Sequence, residues 1–287
     1  MSNKTKRTLM IMKRLYKDGN KTVYSLCDKN GYIKAKLANK GKLDIGQVIE
    51  IEDSNEYVVD VSNYKIITDY KLEDYLPTSK IPIEDIMNKI DEITKEYITS
   101  PQAVKLNDYF FKDEEFLAKF KKCIGGVSMH HNYIGGLAEH TLHVMRLTKI
   151  LCELYNCRRP EIAILSAKLH DIGKIHELFY EGPFKYTLEG ELEGHIVIGV
   201  QMIDRALREC GNVFSEDFVR RVKGCITQHH GKVEYGSPKA ANMEESFILN
   251  YADSIDATLN KINQLKESCE IDSWSEYERK LDTRLYL

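Results

Sequence analysis

The chain has 287 residues, of which 43% are hydrophobic and 30% are charged. This is typical of a water-soluble globular protein of about two domains, and it excludes a fibrous or largely disordered chain. The net charge of −3 conceals an asymmetry: residues 1–43 hold twelve Lys and Arg against two Asp and Glu, a balance of +10, so the remainder carries −13.

Residues 6–70 have the pattern of β-structure. Five short runs are predicted as strands: 22–27, 32–37, 48–51, 57–61 and 65–68. Asn30-Gly31, between the first two runs, is a strong hairpin signal. Five short strands on a basic background predict a small OB-fold-like barrel over residues 1–70, which would bind single-stranded nucleic acid through a charged groove and aromatic side chains.

The tyrosines of this module are the candidates for base stacking: Tyr16, Tyr24 and Tyr32. The alternative is that they are half-buried barrel residues. The basic charge of residues 1–43 predicts a polyanionic partner for the N-terminal module. The alternative is that Lys residues keep a small β domain soluble.

Residues 71–82, with Pro77 and Pro82, are predicted to be a linker. Helical periodicity begins at Ile83. The predicted helices are 83–98, 113–123, 137–155, one starting at Pro160, 194–208, 217–229 and 244–265. The fold class is therefore multidomain α and β, with a small N-terminal β-barrel followed by an all-α body over residues 83–287.

The seven cysteines form no Cys-x-x-Cys pair and predict reduced thiols in a reducing compartment. The N-terminal residues lack the apolar stretch of a signal peptide, and no run approaches the roughly 18 apolar residues of a membrane span. We therefore expect a cytoplasmic protein with no membrane partner. A homo-oligomer is compatible with the sequence.

The histidines are concentrated in the middle of the chain: all nine lie between His130 and His230. His170-Asp171 offers an imidazole and a carboxylate from one short piece of backbone, and such a carboxylate can bridge two ions. Four further polar residues lie on apolar faces of predicted helices: His140, His195, His229 and Asp253. Burying these groups without compensation would cost on the order of several kcal/mol, so a shared cation is predicted.

The pattern His140…His170-Asp171…Asp253 resembles the HD metallophosphohydrolase superfamily. His195 and His229 resemble the additional ligands of its two-metal members. Further blocks are similar to the YhaM-type 3′→5′ exoribonuclease family: residues 28–37, 131–142, 194–199, 229–238, 251–253 and 274–279. The resemblance covers nearly the whole chain, with three departures. Tyr235 stands where Trp is expected, the predicted barrel contains no Trp, and His143 is not part of the family pattern.

The resemblance implies two divalent metal ions per chain. His140, His170, Asp171 and Asp253 would hold one ion, and Asp171 would bridge to a second ion held by His195 and His229. The mixed nitrogen and oxygen ligands suit Mn²⁺ foremost, with Fe, Co or Zn as alternatives, and the absence of Cys argues against structural zinc. Several alternatives stay open: His230 for His229, Asp256 as a replacement or support for Asp253, and His143 as an extra ligand or a surface residue.

Catalytic roles are expected for Asp171 and Lys174, although Lys174 could instead be a solvated lysine at a helix end. Substrate contacts are expected from Lys174, His131, His230, Lys232 and Tyr235, with His130 a further candidate. For His130 and His131 the alternative is a structural role. Glu139 is left without an assigned role.

The implied activity is a metal-dependent 3′→5′ exonuclease on single-stranded RNA, with DNA as an alternative substrate. A hydroxide activated by two metals would attack the 3′-terminal phosphodiester and release nucleoside 5′-monophosphates. The competing hypotheses are an HD-type nucleotide phosphohydrolase or cyclic-nucleotide phosphodiesterase, and a non-catalytic nucleic-acid-binding regulator.

Overall fold

The computed structural model describes residues 5–38, 43–53, 57–127 and 131–287. The chain divides into two compact units, one of residues 1–78 with 179–185 and one of residues 79–178 with 186–287. The predicted fold class, a β module followed by a helical body, is confirmed. The predicted domain limits of 1–70, 71–82 and 83–287 stay a prediction.

The first unit contains a six-stranded sheet. Its strands are β1 (Thr5–Asp18), β2 (Lys21–Asp28), β3 (Gly31–Ala38), β4 (Val48–Asp53), β5 (Val58–Val61) and β6 (Lys65–Ile67). They lie in the order β5-β3-β2-β1-β4-β6, and only β3 and β5 pair in parallel. The hairpin predicted at Asn30-Gly31 is confirmed, because Asp28 pairs with Gly31 and its Oδ1 accepts a hydrogen bond from the Asn30 amide at 2.8 Å.

Two features of the sheet differ from the predicted five-stranded barrel. The longest strand, β1, was missed because its pairing with β2 shifts register between Ile11 and Lys13 and again between Arg14 and Tyr16, which interrupts the alternation. Within the described ranges the sheet also does not close on itself. It is barrel-like and open, and an OB-type closure stays a prediction.

The sheet buries one apolar cluster, formed by side chains that alternate along the strands. Its buried members are Leu9, Ile11, Tyr24, Leu26, Ala35, Leu37, Leu43, Ile49, Ile51, Val59 and Val61. Tyr24 is only 6% exposed, which contradicts the stacking role predicted for it and matches the alternative of a barrel residue. Tyr16 and Tyr32 are exposed.

The second unit is built mainly from helices. They are α1 (Ile83–Tyr97), α2 (Pro101–Phe111), α3 (Glu114–Lys122), α4 (Gly136–Leu154), α5 (Pro160–Leu169), α6 (Lys174–Glu177), α7 (Leu188–Glu209), α8 (Glu216–Gln228) and α9 (Glu244–Lys266). Two-residue strands β7 (Leu178–Phe179) and β8 (Lys185–Tyr186) pair between α6 and α7. A short 3-10 helix covers Val233–Tyr235, and another, Leu72–Asp74, belongs to the first unit.

The helices differ from the prediction at three places. Helix α2 was not predicted, although Ser100 caps it by accepting a hydrogen bond from the Ala103 amide and Pro101 occupies its first turn. The short helix α6 was also not predicted. Helix α7 begins at Leu188, before the predicted start at residue 194, and Gly194 kinks it with a φ of 73°.

Helix α5 is the centre of this unit. All eight residues from Ile162 to Leu169 are buried, and α5 packs against α4, α8 and α9. Because α5 ends at Leu169, the next two residues, His170 and Asp171, lie inside the helical unit. The seven cysteines, which all fall in described ranges, are free thiols as predicted. In the described part of the chain we find no helix with the length and apolarity needed to cross a bilayer.

Candidate metal centre

Four predicted ligands meet at one point, which we call site A: His140, His170, Asp171 and Asp253. Nε2 of His140 lies 3.2 Å from Nε2 of His170, 3.3 Å from Oδ2 of Asp171 and 3.2 Å from Oδ1 of Asp253. Nε2 of His170 lies 3.2 Å from Oδ2 of Asp171. Ligands held at about 2.1 Å from one ion, at tetrahedral to octahedral angles, are themselves about 3.0–3.4 Å apart, so these atoms fit a single cation.

Four of the histidines predicted as metal ligands share one feature: Nδ1 of each ring is hydrogen-bonded to an acceptor oxygen. The pairs are His140 with Asp256 at 2.6 Å, His170 with the Ala167 carbonyl at 2.9 Å, His195 with Glu177 at 3.0 Å and His229 with the Ile226 carbonyl at 2.7 Å. An Nδ1–H that donates to such an acceptor leaves a lone pair on Nε2 of a neutral imidazole. All four rings therefore present Nε2 as a metal ligand does.

A second group of atoms lies beside site A, and we call it site B: Asp171, His195 and His229. Among the residues that the structure describes, Oδ1 of Asp171 and Nε2 of both histidines are buried and have no hydrogen-bond partner. The two nitrogens lie 3.5 and 3.7 Å from that oxygen. Buried polar atoms are almost always bonded. Because all three atoms here are acceptors, a shared cation is the group that fits between them.

The electrostatics of the two sites also favour cations. Burial and neighbouring imidazoles hold the pKa of His229 well below its usual range, so the neutral, ligating form dominates. Burial alone would lower the pKa of His140 as well, but its hydrogen bonds to Asp171, Asp253 and Asp256 raise that pKa well above its ordinary value. The same carboxylates would stabilise a divalent ion held by Nε2 of His140.

The position of His195 depends on two glycines and one carboxylate. The positive φ of Gly194 breaks α7 one residue before His195, and Oε1 of Glu177 accepts hydrogen bonds from both the amide and Nδ1 of His195 at 3.0 Å. A Cβ on Gly173 would lie 2.0 Å from the His195 carbonyl oxygen. Only glycine therefore allows the turn after Asp171 to lie this close to α7.

Asp256 lies behind His140 and supports it. Its Oδ2 accepts hydrogen bonds from Nδ1 of His140 at 2.6 Å and from Nε2 of His131 at 2.8 Å, and its Oδ1 accepts from Nδ1 of His143 at 2.8 Å. These are hydrogen-bond lengths, shorter than the ligand separations of site A. His131 is fully buried and its Nδ1 lies 2.8 Å from Oη of Tyr133. This placement does not support the substrate contact predicted for His131 and matches the structural alternative.

Lys174 is buried beside the shared carboxylate. Its Nζ lies 2.7 Å from Oδ2 of Asp171 and donates to the Gly125 carbonyl at 2.7 Å. Burial alone would lower the pKa of Lys174, but the charge of Asp171 raises it, so the side chain stays an ammonium. This contradicts the alternative of a solvated lysine at a helix end. Among the described residues, two of its three N–H groups hold Asp171 and Gly125, which leaves the third for another acceptor.

The remaining predicted contact residues lie farther out. Nδ1 of His230 lies 3.0 Å from the Tyr235 carbonyl, and its ring offers a ligand atom within 4.8 Å of those of His195 and His229. Lys232 and Tyr235 are exposed, with Nζ of Lys232 at 5.6 Å from the centroid of the tyrosine ring. His130 lies outside the described residues.

Comparison with known proteins places these sites in a family. A family model described as "HD domain" matches residues 137–258, which include every residue of sites A and B. The 3′-5′ exoribonuclease YhaM of Geobacillus sp. (strain WCH70) is 32% identical over 279 residues, covering 91% of this chain and 83% of that protein. The chain belongs to the YhaM family. A second member, the 3′-5′ exoribonuclease YhaM of Bacillus subtilis (strain 168), is 30% identical over 279 residues, covering 91% and 86%. No solved structure matches the chain.

This YhaM-family chain also carries a candidate nucleic-acid surface on its sheet. Tyr32 and Lys34 are two residues apart on β3 and therefore share a face. Nζ of Lys34 lies 3.1 Å from Oη of Tyr57 and 4.8 Å from the centroid of its ring, and both tyrosines are exposed. Tyr57 was not predicted, because an isolated tyrosine at the start of a strand carries no local signal. We call Tyr32, Lys34 and Tyr57 the sheet surface.

Sequence reasoning on this YhaM-family chain also missed Glu177 and left the role of Asp256 open. Both carboxylates act on a ligand ring: Asp256 on His140 in site A and Glu177 on His195 in site B. Neither role has a local signal, because each partner is distant in the sequence.

Replacing Asp256 with Asn is expected to weaken metal binding at site A and leave site B unchanged. The amide cannot accept from both His131 and His140 with the strength of a carboxylate oxygen, so the His140 ring loses its orientation. Loss of such a supporting group typically weakens metal affinity by about 10–100-fold. Calorimetric titration of Mn²⁺ into metal-free protein measures the affinity of both ions.

The matched variant is Glu177→Gln, which is expected to lower the metal affinity of site B and leave that of site A unchanged. Each variant is also combined with His229→Ala, which removes a site B ligand, so that the remaining binding event reports site A alone. An equal loss of affinity at both sites in both variants would show general disruption and contradict the assignment.

Proposed function

We propose that the chain is a metal-dependent 3′→5′ exoribonuclease that releases nucleoside 5′-monophosphates from single-stranded RNA. The observation that carries this proposal is the position of Asp171. One of its oxygens belongs to site A, and the other is buried without a partner among the described residues, facing two Nε2 atoms of site B. Membership of the YhaM family, whose named relatives are 3′-5′ exoribonucleases, supports the direction and the substrate.

Site A would hold one divalent ion through His140, His170, Asp171 and Asp253. Site B would hold a second through Asp171, His195 and His229, and His230 would add a third imidazole, since the three rings offer ligand atoms within 4.8 Å of one another. The mixed nitrogen and oxygen ligands suit Mn²⁺ foremost, with Fe, Co or Zn as alternatives. When bound, such a pair supplies the acidification of water and the charge neutralisation that phosphodiester hydrolysis requires.

The protein side chains hold this centre in place and receive the substrate. Lys174 fixes Oδ2 of Asp171 and directs its remaining N–H towards a phosphate oxygen. Because it stays protonated beside Asp171, it acts as a cation and not as a base. His230, Lys232 and Tyr235, the outer residues of the centre, contact the terminal nucleotide.

The sheet surface is proposed to bind the single strand without reading its sequence. Exposed aromatic rings stack on bases of any type, and nearby ammonium groups attract the phosphates. Part of the positive charge of this unit is paired, as in the ion pairs of Arg7 with Asp28 at 2.9 Å and of Lys36 with Asp18 at 2.6 Å. Stacking is therefore expected to matter as much as charge.

Digestion of end-labelled single-stranded RNA with Mn²⁺ or with chelator tests the proposal. A 5′ label should give a ladder that shortens progressively from the 3′ end, and the only small products should be nucleoside 5′-monophosphates. The chelator should stop the reaction. Single-stranded DNA of the same sequence measures the preference between the two nucleic acids.

A parallel panel of cyclic nucleotides and nucleoside triphosphates separates the competing hypotheses. Hydrolysis confined to these small nucleotides would show a nucleotide phosphohydrolase and exclude the exonuclease. Binding of RNA with no hydrolysis of any substrate, under full Mn²⁺ loading, would show a regulator.

A further inference from the structure

The C-terminal segment, residues 271–287, folds back on itself as a hairpin. Trp274 pairs with Tyr286, and Glu278 pairs with Thr283, in antiparallel bridges. The hairpin contains the single tryptophan of the chain. The rings of Trp274 and Tyr286 pack edge to face, with centroids 5.6 Å apart. None of these residues has a role in the proposed metal centre.

The aromatic pair faces solvent. Trp274 is 60% exposed and Tyr286 is 59% exposed. The guanidinium carbon of Arg284 lies 5.6 Å from the centroid of the tryptophan ring, and Nε of Arg284 donates to the Ser275 carbonyl at 3.1 Å, which holds the side chain in place. Exposed aromatic rings beside a fixed guanidinium are the surfaces on which nucleobases stack.

The hairpin is anchored to the helix that carries a site A ligand. Lys261 of α9 pairs with Glu278 at 3.1 Å, and both side chains are largely buried. Asp253, Ala257 and Lys261 follow at four-residue intervals and therefore lie along one side of α9. Eight residues of helix correspond to about 12 Å. The anchor is thus separated from the Asp253 position by a length of roughly three stacked nucleotides. Trp274 precedes Glu278 by four residues, which adds at most about 14 Å of extended chain.

We propose that Trp274, Tyr286 and Arg284 form a platform on which a base of the RNA strand stacks, a few nucleotides to the 5′ side of the scissile bond. The inference rests on the proposed function, whose substrate it shares. Residues 271–287 hold four acidic and three basic side chains, so the hairpin does not attract phosphates by net charge. We therefore expect the hairpin to add to RNA affinity through base stacking. Substrates too short to reach the platform should bind without this added affinity.

The single tryptophan makes the platform directly observable. Intrinsic fluorescence of the wild-type protein is titrated with a ten-nucleotide RNA in the presence of chelator, where no hydrolysis occurs. Saturable quenching is expected with the oligonucleotide and not with nucleoside 5′-monophosphate at the same base concentration. Because the readout does not need metal, it is independent of activity.

The variant Trp274→Ala should weaken binding of labelled ten-nucleotide RNA by about tenfold, measured by fluorescence anisotropy, as is typical when a stacking residue is lost. The dependence of the binding constant on salt should not change, because no phosphate contact is removed. Trp274→Phe should keep most of the affinity. Hydrolysis of a dinucleotide, which is too short for the platform, should be the same in all variants.

Tyr155→Ala is the matched control, because this tyrosine at the end of α4 is 68% exposed and lies outside the hairpin. It should bind as the wild type does. Circular dichroism and the thermal midpoint verify that Trp274→Ala is folded.

The outcomes separate this inference from the proposed function. Progressive exonuclease activity without quenching, or with unchanged affinity in Trp274→Ala, would exclude the platform and leave the exonuclease intact. Quenching by RNA in a protein that hydrolyses no RNA would exclude the exonuclease and leave the platform. A fluorescence change that follows protein concentration and ignores RNA would show a second copy covering the rings, which overturns the proposal.

Discussion

Asp171→Asn is expected to lower exoribonuclease turnover by about a thousandfold, equivalent to about 4 kcal/mol in the activation barrier. The substitution replaces one oxygen of the carboxylate that is proposed to bridge the two sites with an NH₂ group, which cannot donate a lone pair to an ion. Either site A loses the atom that lies 3.2–3.3 Å from two imidazole nitrogens, or site B loses the oxygen that its two histidines face. The rate of mononucleotide release from labelled RNA measures the effect, and metal analysis counts the ions retained.

The matched control for this variant is Asp204→Asn. Asp204 lies on α7 and pairs with Lys223 at 2.8 Å, away from both sites, so its variant should retain wild-type turnover. If Asp171→Asn kept more than about a tenth of the activity, Asp171 would not be the shared ligand. Retention of both ions with full loss of turnover would instead indicate a role for this carboxylate in the reaction beyond metal binding.

Removal of the metal ions should abolish hydrolysis and lower the thermal midpoint of the helical unit by about 10 °C. Ions that bind only the folded protein, at a thousand times their dissociation constant, add about 4 kcal/mol to the free energy of unfolding. In a unit of this size each kcal/mol added to the free energy of unfolding raises the thermal midpoint by roughly 2–4 °C. The physical reason is the set of buried acceptors of Asp171, His195 and His229, which lose their shared partner in the metal-free protein.

Differential scanning calorimetry with and without chelator measures this shift, and re-addition of Mn²⁺ should restore both the midpoint and the activity. The double variant His140→Ala with His229→Ala, which removes a ligand from each site, should show a much smaller response to Mn²⁺. An unchanged midpoint in the wild type on chelation would indicate that the two sites hold no ion, and the metal-dependent mechanism would be excluded.

The local pattern of the sequence was enough to predict most elements and the composition of the centre. The hairpin at Asn30-Gly31 and the boundaries of α1 and α9 depend on neighbouring residues alone, so they could be predicted closely. The first strand could not, because its two register shifts destroy the alternation on which strand prediction depends. Tyr24 was misjudged because alternation does not say which face of a strand is covered.

The same pattern predicted that His170-Asp171 and the polar residues on apolar helix faces belong to one metal centre, and the structure brings these residues together. An imidazole or a carboxylate on an otherwise apolar helix face loses its hydration when it is buried and needs a polar or charged partner. Its position on that face can be read from the sequence itself. Periodicity tells which side of a helix a residue occupies, but it contains no information about what lies opposite.

Only the tertiary structure decided the supporting contacts. Asp256 and His140 are 116 residues apart, and Glu177 and His195 are 18 apart, so no local pattern connects them. The structure also excluded the alternative of a solvated surface lysine for Lys174, which is buried beside Asp171, and it brought the two aromatic ends of the C-terminal hairpin together. The sequence by itself predicted the candidate ligands, because a polar residue on an apolar helix face is a local feature, whereas packing between distant segments decided how those residues are held and oriented.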